Sequence, residues 1–168
     1  MSCCAPDAVT ETTSDASVTQ NAAHQEHGCA RARHPSRSVT RRTLLLMLKP
    51  EDFERVGTGE YRFCAEPSCR VVYFTGGDAA AFTTDDVRVR VGIKEHADPI
   101  PLCYCFGFDK ATVREEIAAT GRSTLPARIT SLVKEGMCAC ETRNPSGACC
   151  LGEINKVVKR LTQEESET

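Results

Sequence analysis

The sequence predicts an α+β chain in which a small β-rich module is followed by a small helical one. Runs of β-branched and aromatic residues lie between Tyr61 and Val91, whereas helical periodicity with capping signals begins only after about residue 109. Pro99 and Pro101 break the chain between these regions and place a module boundary near residue 98.

Residues 1–28 are rich in Thr, Ser, Ala and Asp without apolar periodicity, and read as a disordered tail. Arg31, Arg33, Arg37, Arg41 and Arg42 follow with no acid among them. This run reads as a solvated basic linker, with a docking patch for an acidic partner as the sharper alternative. Residues 43–48 are expected to form a helical turn or short helix that stops before Pro50, since proline disfavours helical geometry in the residue before it.

Tyr61-Arg62-Phe63-Cys64 and Val71-Val72-Tyr73-Phe74, joined through the turn Ala65-Glu66-Pro67-Ser68, predict a hairpin with Cys64 and Cys69 at its neck. Val87-Arg88-Val89-Arg90-Val91 alternates strictly, which predicts a half-buried strand with both arginines on the wet face.

Beyond the prolines, Asp109 or Thr112 can cap a helix with Val113, Ile117 and Ala118 facing inward. Glu115 stands three residues after Thr112, as in a capping box, and Gly121 ends the helix. Ser123 can cap a second helix carrying Leu125, Ile129, Leu132 and Val133 and ending at Gly136. Asn144-Pro145-Ser146-Gly147 is a turn signal. A third helix over residues 151–161 carries Ile154, Val157, Val158 and Leu161 on one stripe, and residues 162–168 read as an acidic tail.

Composition narrows the function. With 168 residues, 5% aromatics and no Trp, two separate halves would each have a thin core, so bound metal would serve as a staple as well as a working centre. A net charge of -2 offers no global attraction to nucleic acid. The first twenty residues lack a basic n-region and an apolar h-region, and the longest apolar run, residues 44–48, is too short to cross a bilayer. Neither export nor membrane insertion is expected, and the location predicted is cytoplasmic. In a reducing cytosol, eleven cysteines more often hold metal than form disulfides. There is no paired carboxylate motif, phosphate loop or nucleophile elbow, so no enzymatic activity is expected.

Cys103 and Cys105 form one cysteine cluster, and Cys138, Cys140, Cys149 and Cys150 form a second beyond two predicted helices. A 2Fe-2S centre needs four soft anionic ligands converging from two loops, which this distribution supplies; a Cys4 zinc site on the same residues is the alternative. Cys105 and Cys150 each fall just ahead of a predicted helix, so helix N-termini are expected to face the centre, offset its negative charge and raise its reduction potential. Cys64 and Cys69 have the spacing of structural zinc ligands.

Cys103-Tyr104-Cys105, the two helices, Cys140 and Asn144-Pro145-Ser146-Gly147-Ala148-Cys149-Cys150 resemble the cluster domain of CopZ-type copper chaperones, itself similar to the BFD-like (bacterioferritin-associated ferredoxin) 2Fe-2S domain. Upstream, the stretch from Tyr61 to Phe74 and Arg90-Val91-Gly92-Ile93-Lys94-Glu95 resemble that family's zinc-binding module. The resemblance covers residues 29–161. It implies a zinc-binding CopZ-like module at 29–98 and a BFD-like 2Fe-2S domain at 99–161. The cluster ligands it implies are Cys103, Cys105, Cys140 and Cys150, with an exchange of Cys138 for Cys140 or of Cys149 for Cys150 left open. For zinc, the family pattern draws two ligands from an upstream C-P-x-C. Here Cys29 is present but Ala32 replaces the second thiol. The fourth ligand then falls to His34 or His27, with His34 preferred, giving Cys29, His34, Cys64 and Cys69. Isolated His24 and His96 read as surface residues.

By this resemblance the protein is expected to be a metallochaperone or redox accessory in copper or related soft-metal handling. Its expected cofactors are a 2Fe-2S cluster and zinc, with Cu(I) as transient cargo, and its expected partner is a metal-transport or redox protein. The family's separate copper-binding domain carries C-x-x-C, which occurs nowhere in this sequence. Cys3-Cys4 is the remaining soft-metal pair. Two alternatives compete: a BFD-like electron carrier or regulatory partner of a reductase or metal-storage protein, and a structural zinc protein that scaffolds partners or binds nucleic acid through its arginine run.

Overall fold

The computed structural model describes residues 34–76 and 81–166. The expected tail at 1–28, with Cys3-Cys4, lies outside the described residues. The predicted hairpin is present: β2 (Tyr61–Cys64) and β3 (Val71–Thr75) pair antiparallel with Tyr61 opposite Thr75. The linker reading of residues 29–42 fails over its described part. Ser36–Val39 is a strand, β1, whose register sets Ser36 opposite Cys64 and Val39 opposite Tyr61. Its Ser-Arg-Ser composition is tolerated because β1 is an edge strand, stabilised by backbone pairing to a strongly apolar neighbour. With β4 (Phe82–Thr83) the antiparallel sheet runs β1-β2-β3-β4.

The short helix expected at 43–48 starts two residues earlier. In α1 (Arg41–Met47), the Thr40 side chain caps the first turn by accepting from the Thr43 amide at 3.0 Å. Leu44, Met47 and Leu48 then pack on Tyr61, Phe63, Tyr73 and Phe82 to form the first core. Residues 87–91 depart from the sequence reading. Their alternating burial is real, but they make only an isolated bridge, Leu48 to Val87, and then bend. The arginines explain the departure. Arg88 donates to the Leu48 carbonyl at 2.8 and 2.6 Å, and Arg90 to the carbonyls of Ala97 (2.6 Å) and Pro99 (2.5 Å). The segment is thus held by side-chain bonds to carbonyls instead of a ladder.

The second module opens with a two-stranded ribbon, β5 (Pro101–Cys103) and β6 (Phe108–Asp109). Helices α2 (Lys110–Thr120), α3 (Leu125–Lys134), α4 (Cys140–Arg143) and α5 (Leu151–Ser166) follow. Asp109 is the cap of α2, accepting from the Thr112 amide at 2.8 Å, so Glu115 is not part of a capping box. Val113 and Ile117 are buried but Ala118 is exposed. Ser123 accepts from the Leu125 amide at 3.2 Å and opens α3. The acidic-tail reading also needs correction, because α5 runs on to Ser166. Leu161 is buried and anchors this end, and Thr162 and Ser166 bond back to the carbonyls four residues earlier at 2.9 and 2.8 Å. Val113, Ile117, Leu125, Ile129, Ile154 and Leu161 form the second core.

The two modules are stitched together at the loop that carries the later cysteines. The Tyr73 hydroxyl, kept protonated by burial, donates to the Pro145 carbonyl at 2.7 Å, and Thr43 donates to the Glu141 carbonyl at 2.7 Å. On the opposite side, Tyr104 accepts from the Gly92 amide at 2.8 Å and reaches the Arg90 carbonyl at 3.0 Å. The backbones come so close here that a Cβ on Gly92 would lie 1.9 Å from the Pro101 carbonyl oxygen. Gly92→Ala should therefore cost about 1–3 kcal/mol through forced overpacking, measured by denaturant unfolding, while Gly76→Ala, with open space around it, serves as the control.

Candidate metal centres

The first centre follows from the strand register. Because Ser36 faces Cys64 and the Ala65 amide bonds the Pro35 carbonyl at 2.7 Å, the pairing carries His34 beside the end of β2. The His34 Nδ1 lies 3.7 Å from Cys64 Sγ. A turn closed by the Cys69 amide on the Glu66 carbonyl, at 3.2 Å, returns Cys69 to the same place. The ligand atoms of His34, Cys64 and Cys69 all lie within 4.8 Å of one another, the one such trio among the described residues. An imidazole and two thiols this close suit tetrahedral zinc. Cys29, His27 and Ala32 lie outside the described residues.

Sequence reasoning missed one contributor to this centre. Lys94 is only 8% exposed, and its ammonium donates to the carbonyls of Glu66 (2.9 Å) and Cys69 (2.8 Å), bracing the loop between the two thiols. Lys94 stood in the Arg90–Glu95 stretch that carries the resemblance to the zinc-binding module, but nothing local assigned its ammonium a role. Lys94→Met should speed zinc loss to a chelator by roughly 10–100-fold, the usual effect of removing an outer partner of a metal ligand. A chromogenic chelator assay checks this, with His96→Ala expected to behave as wild type.

The second centre gathers thiols from two loops. The turn between β5 and β6 carries Cys103 and Cys105, while Cys140 opens α4 and Cys150 directly precedes α5. Cys105 and Cys140 lie with sulfurs 3.7 Å apart, and Cys103 and Cys150 are both buried in the second core, where each thiol shifts the other's protonation. Each pair joins one thiol of the ribbon to one of the later loop. Cys138 belongs to neither pair, and Cys149 is exposed.

Three of these thiols are shifted in their protonation. The Cys103 thiol is drawn down to about 6, first by the Cys150 thiol and then by the amides of Phe106 and Cys105, although burial opposes this. Cys150 is pushed up by the Cys103 thiol and by burial, and Cys140 is pushed up to about 12 by burial and by Cys105. An amide is aimed at one of these sulfurs, the Ala139 amide meeting Cys105 Sγ at 3.3 Å. Such bonds favour thiolates over thiols. The expectation of two helix N-termini at this centre holds in sequence adjacency for Cys150 only, because Cys105 is followed by β6 and α2 starts five residues later. Local amides of the turn take the place of the second helix end.

Comparisons with known proteins bear most directly on the first centre. Residues 26–88 match the sequence model of a CopZ-type zinc binding domain. The chain is 35% identical over 99 residues to the copper chaperone CopZ of Archaeoglobus fulgidus, an alignment that takes in 59% of this chain. The chain spans about half, 46%, of that relative's length. It also superposes on the X-ray structure of the CopZ N-terminal domain from the same organism with a TM-score of 0.63 at 26% identity, covering 77% of this chain and 96% of that one. No helix among the described residues is long and apolar enough to cross a membrane.

Proposed function

We propose that the chain is a metal-handling protein of the CopZ kind, a metallochaperone or redox accessory for copper or a related soft metal. In this reading zinc staples its β-rich module, and a BFD-like helical module holds a 2Fe-2S cluster on Cys103, Cys105, Cys140 and Cys150. The observation that carries the cluster reading is the convergence of the four thiols from two segments, with the Cys105 and Cys140 sulfurs 3.7 Å apart and Cys103 and Cys150 buried in one core. A tetrahedral zinc ion with Zn–S bonds of about 2.3 Å needs all four sulfurs mutually within roughly 3.8 Å. Two pairs are instead what two adjacent metal centres require.

The cluster, when bound, supplies one-electron exchange. The residues of the chain do the rest. Cys103 and Cys150 sit almost fully buried, which restricts water at that end, whereas Cys105 and Cys140 are half-buried. The Ala139 and Phe106 amides hold charge on the sulfurs, the lever by which a protein tunes such a centre. Similarity to a copper chaperone supports the soft-metal role, with a metal-transport or redox protein as partner, and the thiol-rich composition suits Cu(I) as transient cargo. No reaction is assigned to the chain. Anaerobic purification with an optical spectrum and metal and sulfide analysis tests the proposal. About two irons, two sulfides and one zinc per chain are expected, and a colourless protein holding only zinc after reconstitution would overturn the cluster reading.

A further inference from the structure

A cleft of about 590 Å³ opens where the two modules meet, and Cys149 and Cys150 lie at one side of it. Its charge is unlike that of the whole chain, whose net charge is -2. Arg37 from β1, Lys110 from α2 and Arg160 from α5 all line it. Its acids are already engaged: Glu95 bonds Arg90 at 2.5 Å, and Glu153 bonds Lys156 at 2.8 Å; of its cations, Arg160 stands 3.9 Å from Glu164 in an open, exposed pair that a competing carboxylate can displace. Apolar side chains share its lining, with Val157 half-buried and Ile93 39% exposed.

We propose that this cleft is the docking groove for an acidic segment of a partner protein, one that carries an apolar residue between its carboxylates. Three features favour a polypeptide. The cations come from three separate elements of both modules, so an extended acidic chain can engage them together. Apolar side chains, among them Ile93 and Val157, share the lining with them, which suits the anchors of a segment laid along a groove. The groove also runs past Cys149, which is exposed and directly precedes Cys150, so a docked segment would bring its protein up to the thiol centre. The surface assignment stands by itself; what docking delivers rests on the cluster reading above.

The test uses the full chain, purified anaerobically, and a fluorescein-labelled hexapeptide of alternating Glu and Leu. Fluorescence anisotropy should show saturable binding that weakens steeply from 50 to 300 mM salt. The triple variant Arg37→Glu/Lys110→Glu/Arg160→Glu should weaken binding at least tenfold, while Lys159→Glu, exposed on the same helix but outside the cleft, should leave it unchanged. Ile93→Ser should also weaken it, without altering the salt dependence. The proposal is overturned by an absence of saturable binding, by equal losses in the Lys159→Glu and triple variants, or by citrate competing as well as the peptide, which would mark a small-anion site. Circular dichroism confirms that each variant is folded. The visible spectrum of the same samples separates the two readings, since a colourless protein that still binds the peptide defeats only the cluster.

Discussion

Cys140→Ser is expected to abolish the visible absorption of the anaerobically purified protein and to lower its iron content several-fold, whereas Cys138→Ser should keep most of both. The two positions are two residues apart, so overall destabilisation would affect them alike. Only Cys140 has its sulfur 3.7 Å from Cys105. The same contrast applies one turn later. Cys150 is buried against Cys103 and should be essential, whereas Cys149 is exposed and should be dispensable for colour. Full colour in Cys140→Ser with loss in Cys138→Ser would transfer the ligand role to Cys138.

The second large effect is expected at Cys64. It is fully buried at the end of β2, within 4.8 Å of both other candidate ligand atoms, so Cys64→Ser should release zinc and unfold the sheet. The binding free energy of a structural zinc is folding free energy, of order 10 kcal/mol, more than a core of this size can lose. Loss of the strand signal in circular dichroism together with zinc release would meet the prediction; retention of zinc would place the ion elsewhere. His34→Ala should weaken zinc retention more than His27→Ala does. Zinc content unchanged from wild type in both variants would remove imidazole from the ligand set.

Legibility in the sequence tracked how local each feature is. The β2–β3 hairpin and the α2 cap were readable because their signals, β-branched runs and an Asp before an apolar stripe, act within a few residues. β1 was not readable, since Ser-Arg-Ser-Val becomes a strand only when Tyr61-Arg62-Phe63-Cys64 lies beside it. Residues 87–91 showed the right burial but the wrong structure, because periodicity reports which side faces the core and not whether a neighbour supplies a ladder. Among the site residues, spacing brought out Cys64 and Cys69, and cysteine clustering the later thiols. How those thiols pair depends on α5 packing against the β5–β6 ribbon, a tertiary fact. The roles of Lys94 and Tyr73 were invisible for the same reason, since each acts on carbonyls at least 25 residues away.

The bonds from Tyr73 to Pro145 and from Thr43 to Glu141 bear on how this protein can be dissected. Both donors belong to the sheet-and-helix half, and both acceptors lie in the stretch between Cys140 and Cys150. Cutting the chain near residue 98 would leave the thiol-bearing fragment with carbonyls shaped for donors that had departed. An isolated helical half would thus carry every cysteine of its centre and yet lack the outside clamps that hold two of them in place. The chain is long enough to look like two parts, but its second half borrows its rigidity from the first.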